Sequence, residues 1–296
     1  MARHTLTIGL PPGYLPGDVL AFHGRDSEGV AEQVEADPAL PPRIRKGVLL
    51  AGAAVLLDVT LEPHTARCSI EIDADDDGAA LAQAHEALLN ILGLRIDPLP
   101  FIAYAQDDPL LGPVVRGRPV LRIVQSATVF EALTWAIIGQ QINLPFAISL
   151  RRTFILQAGR RHSSGLWCYP EAADVARLDV AALTSRKFSR SKAETLLRLA
   201  HLVASGELTL AREDDAADVA ASLLAVKGIG PWTVNYALLR GYGYPDCSLH
   251  GDVAIRTAFQ RLLGEAAKPD MARTEKLLEA YRPYRTMAAA YLWASL

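Results

Sequence analysis

Two glycines separated by one residue lie between two helical segments in the stretch 227-KGIGPWTVNYALLRG-241. This connection predicts a tight hairpin in which at least one residue needs a positive φ angle, and Pro231 suits the first position of the next helix. The backbone N–H groups of Gly228 and Gly230 would lie unpaired at a helix N-terminus, which is a site for an anion. The hairpin therefore predicts a phosphate-binding turn, with Lys227 and the Thr233 hydroxyl beside it.

Asp252 follows this hairpin and opens the predicted helix 252–263. On position alone, its carboxylate is a helix N-cap that contributes about 1 kcal/mol of stability. The helix dipole and the backbone donors also favour the ionised carboxylate, so that a capping aspartate can serve as a catalytic anion. Position alone leaves both roles open.

The chain has 296 residues, which is enough for about two domains, and half of its residues are hydrophobic. Its longest uncharged apolar run is well short of the roughly 20 residues that a membrane span needs. The three cysteines are isolated from one another, which excludes close-spaced zinc motifs and favours a reducing, cytoplasmic setting.

Charge is unevenly distributed along the chain. Residues 1–110 carry 7 Lys+Arg against 17 Asp+Glu, a net charge of -10, whereas residues 111–296 carry 23 against 16, a net charge of +7. The basic part is the one expected to meet a polyanion such as DNA. Two domains that merely differ in surface charge are the alternative.

Residues 1–110 predict an antiparallel α+β domain, because apolar and polar residues alternate in several segments and helical periodicity occurs in others. The predicted strands are 4–10, 53–62 and 64–73, and the predicted helices are 28–36 and 79–93. Strand signals stop after the proline-rich stretch 97–113, so residues 111–296 predict an all-helical domain. Its first helix begins with a capping box formed by Thr128 and Glu131. The predicted helices are 129–141, 145–158, 192–205, 216–226 and 252–263, followed by two segments that flank 282-RPYR-285.

The run 223-LLAVKGIGPWTVNYALLRG-241 resembles the helix-hairpin-helix signature of the DNA glycosylase superfamily, and 246-DCSLHGDVAIRTAF-259 places Asp252 at the position of its catalytic aspartate. The segments 138-IGQQIN-143 and 188-FSRSKAETL-196 also resemble family segments. The N-terminal segment 22-FHGRDSEGVAEQV-34 resembles the extra domain of the alkylpurine branch, DNA-3-methyladenine glycosylase II. The resemblance implies a sheet domain like half of the TATA-binding protein, followed by a helical helix-hairpin-helix domain.

The resemblance implies an enzyme of base excision repair that flips an alkylated purine, such as 3-methyladenine or 7-methylguanine, out of double-stranded DNA. Hydrolysis of the N-glycosidic bond builds positive charge on the deoxyribose, and Asp252 would stabilise that charge and orient the attacking water. A cationic base leaves without a strong general acid, so one carboxylate suffices. Branches that resemble endonuclease III have a lysine nucleophile at the position of Trp232, so the sequence predicts a monofunctional enzyme that leaves an intact abasic site.

Further site residues are implied by the same resemblance. Aromatic positions of the base pocket match Trp232, Tyr236 and Tyr284, for which core packing is the alternative. Val253 stands where enterobacterial-type members have an aromatic residue, which puts base selectivity in doubt. Gln141, with Ile142 beside it, matches the wedge that fills the gap left by the flipped nucleotide, and capping of the helix end is the alternative.

Contacts with the DNA backbone are expected at the hairpin, from Lys227, Gly228, Ile229, Gly230 and Thr233. The resemblance also implies a monovalent cation held by the carbonyl groups of Leu224, Val226 and Ile229, and no other cofactor. A monomer without a protein partner is expected. Two other functions stay open: a non-catalytic DNA-binding protein that keeps the hairpin, and a glycosylase for deaminated bases such as hypoxanthine or uracil.

Overall fold

The computed structural model describes residues 2–75, 77–118 and 120–296. Its N-terminal part is a five-stranded antiparallel sheet in the order β1-β5-β4-β3-β2. The strands are β1 (Ala2–Gly9), β2 (Glu32–Glu35), β3 (Arg43–Leu50), β4 (Ala53–Leu61) and β5 (Thr65–Asp73), and the helices of this part are α1 (Gly17–His23) and α2 (Gly78–Ile91). The predicted α+β class is confirmed, and so are the strands at β1, β4 and β5.

The predicted helix 28–36 is wrong, because this segment contains β2, and β3 was not predicted at all. Residues 28–36 are rich in good helix formers, but Glu32 pairs with Lys46 of β3 in a buried contact, so tertiary structure overrides helix propensity. Strands β3 and β4 form a hairpin whose turn residues, Ala51 and Gly52, have φ angles of 47° and 81°. The turn lies within the uncharged apolar run 47–57, which the sequence alone does not divide into two strands.

The rest of the chain is mostly helical. Its helices are α3 (Leu99–Ala105), α4 (Gly112–Gly117), α5 (Val129–Gly139), α6 (Leu144–Ala158), α7 (Ala172–Val175), α8 (Val180–Thr184), α9 (Arg190–Ala204), α10 (Ala216–Leu224), α11 (Pro231–Ala237), a π-helical turn (Leu238–Tyr242), α12 (Val253–Leu263), α13 (Met271–Glu279) and α14 (Arg285–Ala294). The long helices agree with the predicted ones to within a few residues. No helix in the described part of the chain is long and apolar enough to cross a membrane.

One strand pair corrects the all-helical prediction for residues 111–296. Strands β6 (Arg160–Arg161) and β7 (Trp167–Cys168) form a short ribbon that extends the backbone pairing of β3. The Tyr169 amide donates to the Gly47 carbonyl at 3.0 Å, and a Cβ atom on Gly47 would lie 2.2 Å from the Trp167 carbonyl oxygen. Glycine is therefore required for this close approach, and the ribbon joins the helical part to the sheet.

A buried group of charges also joins the two parts. Thr128 caps α5 as predicted, but the Glu131 carboxylate accepts from the Ala127 amide at 3.0 Å and contacts Lys46 Nζ at 2.8 Å and Arg151 Nη2 at 2.8 Å. Burial raises the pKa of Glu131, but the charges of Lys46 and Arg151 outweigh it and hold the pKa below its usual range. The capping box is thus only half formed, because its glutamate binds β3 and α6 instead.

Candidate active site

The hairpin between α10 and α11 requires glycine at one of its two glycine positions. Gly228 has a φ angle of 99°, and a Cβ atom there would lie 2.1 Å from Thr195 Oγ1 of α9. Gly230 has a φ angle of -108° and open space around it. The positive φ predicted from the sequence therefore belongs to Gly228, and α9 packs directly against this turn.

Two side chains donate hydrogen bonds to carbonyl groups of the hairpin, whereas two of its amide groups are available to a ligand. Gln140 Nε2 donates to the Gly228 carbonyl at 3.2 Å, and Arg198 Nη1 donates to the Lys227 carbonyl at 2.9 Å. Within residues 120–296, no acceptor is found for the amides of Gly228 and Gly230. Two backbone donors are thus left for an anion, next to the exposed Lys227.

Two predicted DNA contacts in this hairpin are corrected. Thr233 is only 2 % exposed, and its hydroxyl accepts from Gln140 Nε2 at 2.9 Å, so it is not available to a phosphate. The Ile229 side chain is buried in the core, and its amide donates to the Val226 carbonyl at 3.0 Å. The helical periodicity of the sequence could not show which side of α11 is covered by α5.

The three backbone carbonyls predicted to hold a cation are compatible with that role. The Leu224 and Ile229 carbonyls accept no hydrogen bond from any described residue, and the Val226 carbonyl, which accepts one, has a second lone pair. Carbonyl oxygens suit hard cations. Across the described residues, no group of three or more His, Cys, Asp or Glu side chains could hold a metal ion.

Asp252 is the N-cap of α12 and also the centre of a side-chain site. Its Oδ1 accepts from the amides of Ala254 at 2.9 Å and Ile255 at 3.0 Å. Two indole N–H groups complete its contacts: Trp232 Nε1 donates to Oδ2 at 2.9 Å, and Trp293 Nε1 donates to Oδ1 at 3.3 Å. The cap predicted from position is confirmed, and it fixes the carboxylate against two aromatic rings.

Trp232 and Tyr236 lie together on α11, with ring centroids 5.3 Å apart. The Tyr236 hydroxyl accepts from Trp135 Nε1 of α5 at 2.9 Å. Tyr284 is not grouped with these rings, because it precedes α14 and its ring contacts Phe101 and Tyr104 of α3 at 6.4 Å and 5.8 Å. Its prediction as a pocket residue is therefore not supported by its position.

Two arginines contact further aromatic rings near this group. The Arg25 guanidinium is 3.8 Å from the Phe22 ring centroid and 5.1 Å from that of Trp135. The Arg240 guanidinium, in the π-helical turn, is 5.0 Å from Phe22 and 5.6 Å from Trp293. Burial lowers the pKa of both guanidinium groups, which nevertheless remain cations near neutral pH.

These contacts form a closed chain of side chains, which we call the Asp252 circuit. Each member touches the next, and the last touches the first, in the order Asp252, Trp232, Tyr236, Trp135, Arg25, Phe22, Arg240 and Trp293. Three of the four tryptophans of the chain are members. This grouping of a rare residue type is the signal by which Trp135 and Trp293 could have been suspected. Arg240 and Arg25 lie in the family-like segments 223–241 and 22–34, but the sequence assigned neither of them a role in the site.

The predicted wedge residues lie at the end of α5. Gln141 is exposed and has a φ angle of 55°, and Ile142 is half-buried against the core. The cap of α5 is Gln140, whose side chain also holds the hairpin. The helix-capping alternative therefore applies to Gln140 and leaves Gln141 in the left-handed conformation that few residues other than glycine adopt.

Comparison with known proteins points to the same superfamily as the sequence motifs. The sequence profile described as "HhH-GPD superfamily base excision DNA repair protein" matches residues 134–283. A DNA-3-methyladenine glycosylase of Bacillus subtilis is 33% identical over 205 residues, which are 68% of this chain and 68% of that protein.

Solved structures agree with the fold. A 3-methyladenine DNA glycosylase of Archaeoglobus fulgidus has a TM-score of 0.79 at 21% identity, covering 97% of both chains. A 3-methyladenine DNA glycosylase of Schizosaccharomyces pombe, solved in complex with abasic DNA, has a TM-score of 0.55 at 23% identity and covers 62% of this chain and 93% of that one. At these identities the likeness extends to the fold alone, and the first of them spans the sheet as well as the helices.

Proposed function

Since the chain belongs to the HhH-GPD superfamily of base excision DNA repair proteins, we propose that it is a 3-methyladenine DNA glycosylase that works by direct hydrolysis, with Asp252 as its catalytic carboxylate. One observation carries the assignment of the residue. The indole N–H of Trp232, two residues beyond the hairpin glycines, donates to Asp252 Oδ2 across 20 positions of sequence. The DNA-anchoring turn and the carboxylate are thereby held next to each other.

Asp252 is suited to stabilise positive charge on a deoxyribose. Three donors hold Oδ1, and Trp232 holds Oδ2, so the carboxylate has a fixed direction before substrate binds. A charge that is already oriented stabilises an oxocarbenium-like transition state without reorganisation of its surroundings. One lone pair remains on Oδ2 for the sugar or for the attacking water.

The reaction that follows is a hydrolysis. The bond between C1′ and the base nitrogen breaks, and its electron pair leaves with the base. Asp252 faces the positive charge that develops on the sugar, and a water oxygen then bonds to C1′. For a cationic methylated purine, the base leaves neutral and the water proton is taken up by Asp252 or solvent.

Trp232 favours hydrolysis over lyase chemistry. A Schiff-base route needs a lysine amine beside C1′. Here the corresponding position carries an indole whose N–H is bonded to Asp252. We therefore expect an intact abasic site as product and no enzyme–DNA adduct after borohydride treatment.

Asp252→Asn tests the catalytic assignment, because it removes the charge and keeps the size of the side chain. We expect base release from methylated DNA to fall by at least about 100-fold in single-turnover assays, the scale seen when an electrostatic stabiliser is removed. DNA binding should change little. Asp270→Asn is the matched control, since Asp270 caps α13 in the same way and is not part of the Asp252 circuit. Equal base release by the two variants would contradict the assignment.

A further inference from the structure

Lys192, in the first turn of α9, reaches the end of another helix. Its Nζ donates to the carbonyl of Ile138 in α5 at 2.7 Å. This carbonyl belongs to the last turn of α5, and no backbone amide of the described residues donates to it. The lysine therefore supplies the missing donor from a neighbouring helix, and it places a positive charge at the negative end of the α5 dipole.

A surface ion pair does not explain why the lysine takes this position. Within the described part of the chain Lys192 has no carboxylate partner, and Glu194, two positions further on, pairs with Arg190 at 3.5 Å instead. Lys192 is half-buried, and burial lowers its pKa, as expected for a cation without a counter-ion. Lysine side chains usually extend into solvent. A requirement at the end of α5 accounts for this arrangement better.

The loop after α5 is the place where the wedge was predicted. Gln140 ends the helix, and Gln141 follows with a φ angle of 55° and an exposed side chain. The same loop is bonded to the hairpin, because Gln140 Nε2 donates to the Gly228 carbonyl at 3.2 Å. A displacement of the end of α5 would therefore move Gln141 and disturb the contact with the hairpin at the same time.

One face of α9 supports both the loop and the hairpin. Lys192, Thr195 and Arg198 follow one another at intervals of three residues, which places them on the same side of the helix. The Thr195 side chain packs against Gly228. Arg198 Nη1 donates to the Lys227 carbonyl at 2.9 Å. Helix α9 thus connects the loop after α5 to the hairpin, and Lys192 makes the contact at the loop.

We propose that Lys192 is a positioning residue for nucleotide flipping, which fixes the end of α5 against α9 and so keeps Gln141 at a set distance from the hairpin. This inference rests on the proposed function, in which the damaged nucleotide leaves the duplex before its bond to the base is hydrolysed. The gap in the duplex must be filled while the hairpin binds a phosphate, so the two loops must keep their spacing. In this role Lys192 acts on flipping and leaves the chemistry of Asp252 unchanged.

The test compares release of 7-methylguanine from two duplexes under single-turnover conditions. In one the lesion pairs with cytosine, and in the other it lies opposite a tetrahydrofuran abasic analogue, where flipping breaks no base pair. We expect Lys192→Met to slow release from the paired duplex by at least about 10-fold and release from the unpaired one by less than about twofold. Lys192→Arg keeps the charge and a donor and should restore most of the rate. Lys276→Met, at an exposed lysine of α13, is the matched control.

A fluorescence measurement isolates the flipping step. 2-Aminopurine placed beside the lesion becomes brighter when its neighbour leaves the stack. Asp252→Asn is introduced into every protein compared, so that the signal reports flipping without hydrolysis. We expect the rise in the paired duplex to be slower when Lys192→Met is also present, and to keep its rate when Lys276→Met is present.

The outcomes separate this inference from the proposed function. Release rates that are unchanged in both duplexes, or that fall by one common factor, would overturn the inference and leave Lys192 a structural residue. Failure of the wild-type protein to release 7-methylguanine from either duplex would instead refute the proposed function. Thermal unfolding shows whether each variant folds. Lys192→Gln, which removes the charge and keeps a polar group, carries the same comparison if the methionine variant does not fold.

Discussion

Trp232→Phe separates the orienting role of the indole N–H from the stacking role of the ring. Phenylalanine keeps an aromatic face against Tyr236, whose centroid lies 5.3 Å from that of Trp232, but it removes the donor 2.9 Å from Asp252 Oδ2. The other three donors to this carboxylate all bind Oδ1. The substitution therefore frees one oxygen of the carboxylate and leaves the cap of α12 in place.

The expected size of the effect follows from this contact. A hydrogen bond to a charged group contributes about 1.5–3 kcal/mol. Since about 1.4 kcal/mol changes a rate tenfold, loss of orientation in the transition state should slow base release by about 10- to 100-fold. Binding of the damaged duplex should weaken much less, because the stacking face and the hairpin amides are retained.

Single-turnover release of 7-methylguanine, measured beside duplex affinity, provides the assay. Trp167→Phe is the matched control, because Trp167 lies in β7 and is the one tryptophan outside the Asp252 circuit. A rate for Trp232→Phe within about twofold of the control, or an equal loss in affinity and in rate, would refute the claim that the indole N–H orients Asp252.

Two further predictions concern the elements that position the site. Gly228→Ala places a Cβ atom 2.1 Å from Thr195 Oγ1 at a φ angle of 99°, so we expect it to destabilise the fold by about 1–3 kcal/mol and to weaken DNA binding. Gly230→Ala is the control, because a Cβ atom at Gly230 has open space around it. Equal unfolding midpoints of the two variants in urea would contradict this prediction. Burial raises the pKa of Glu131, but the charges of Lys46 and Arg151 together outweigh it and leave the pKa lowered. The ionised carboxylate therefore stabilises the fold above about pH 4.3, its unfolded pKa, and this contribution is lost as the pH falls through the folded value. Thermal unfolding of Glu131→Gln should therefore depend less on pH below about pH 4.5 than that of the wild type, and parallel curves would be evidence against the depressed pKa.

The sequence correctly predicted the helices and strands whose decisive contacts lie within a few residues of one another. Alternation identified β5, and side-chain caps identified the start of α5 and of α12, because in each case the decisive contacts lie within a few residues. β2 was missed for the opposite reason: its strand state depends on pairing with β3 and on the buried contact between Glu32 and Lys46. Non-local pairing of this kind leaves little signal in a single segment.

The same distinction applies to the site. Asp252 and the hairpin were recognised because both parts of their motif lie within one short span of the sequence, and the structure then brought them together. The Thr233 hydroxyl was misassigned because its partner, Gln140, comes from another helix. Trp293 could not be linked to Asp252 in advance, since 41 positions separate them and the contact depends on how α14 crosses α12.

The N-terminal part of the chain has a net charge of -10, which is unfavourable for a broad contact with DNA, yet it contributes directly to the Asp252 circuit. Phe22, near the end of α1, and Arg25, just after it, form one wall of the site. The buried contact of Lys46 in β3 with Glu131 in α5 holds the sheet against the helix that carries Trp135. An acidic surface is compatible with that task under the proposed function, in which the sheet supplies a wall against the base while the basic helical part meets the phosphates.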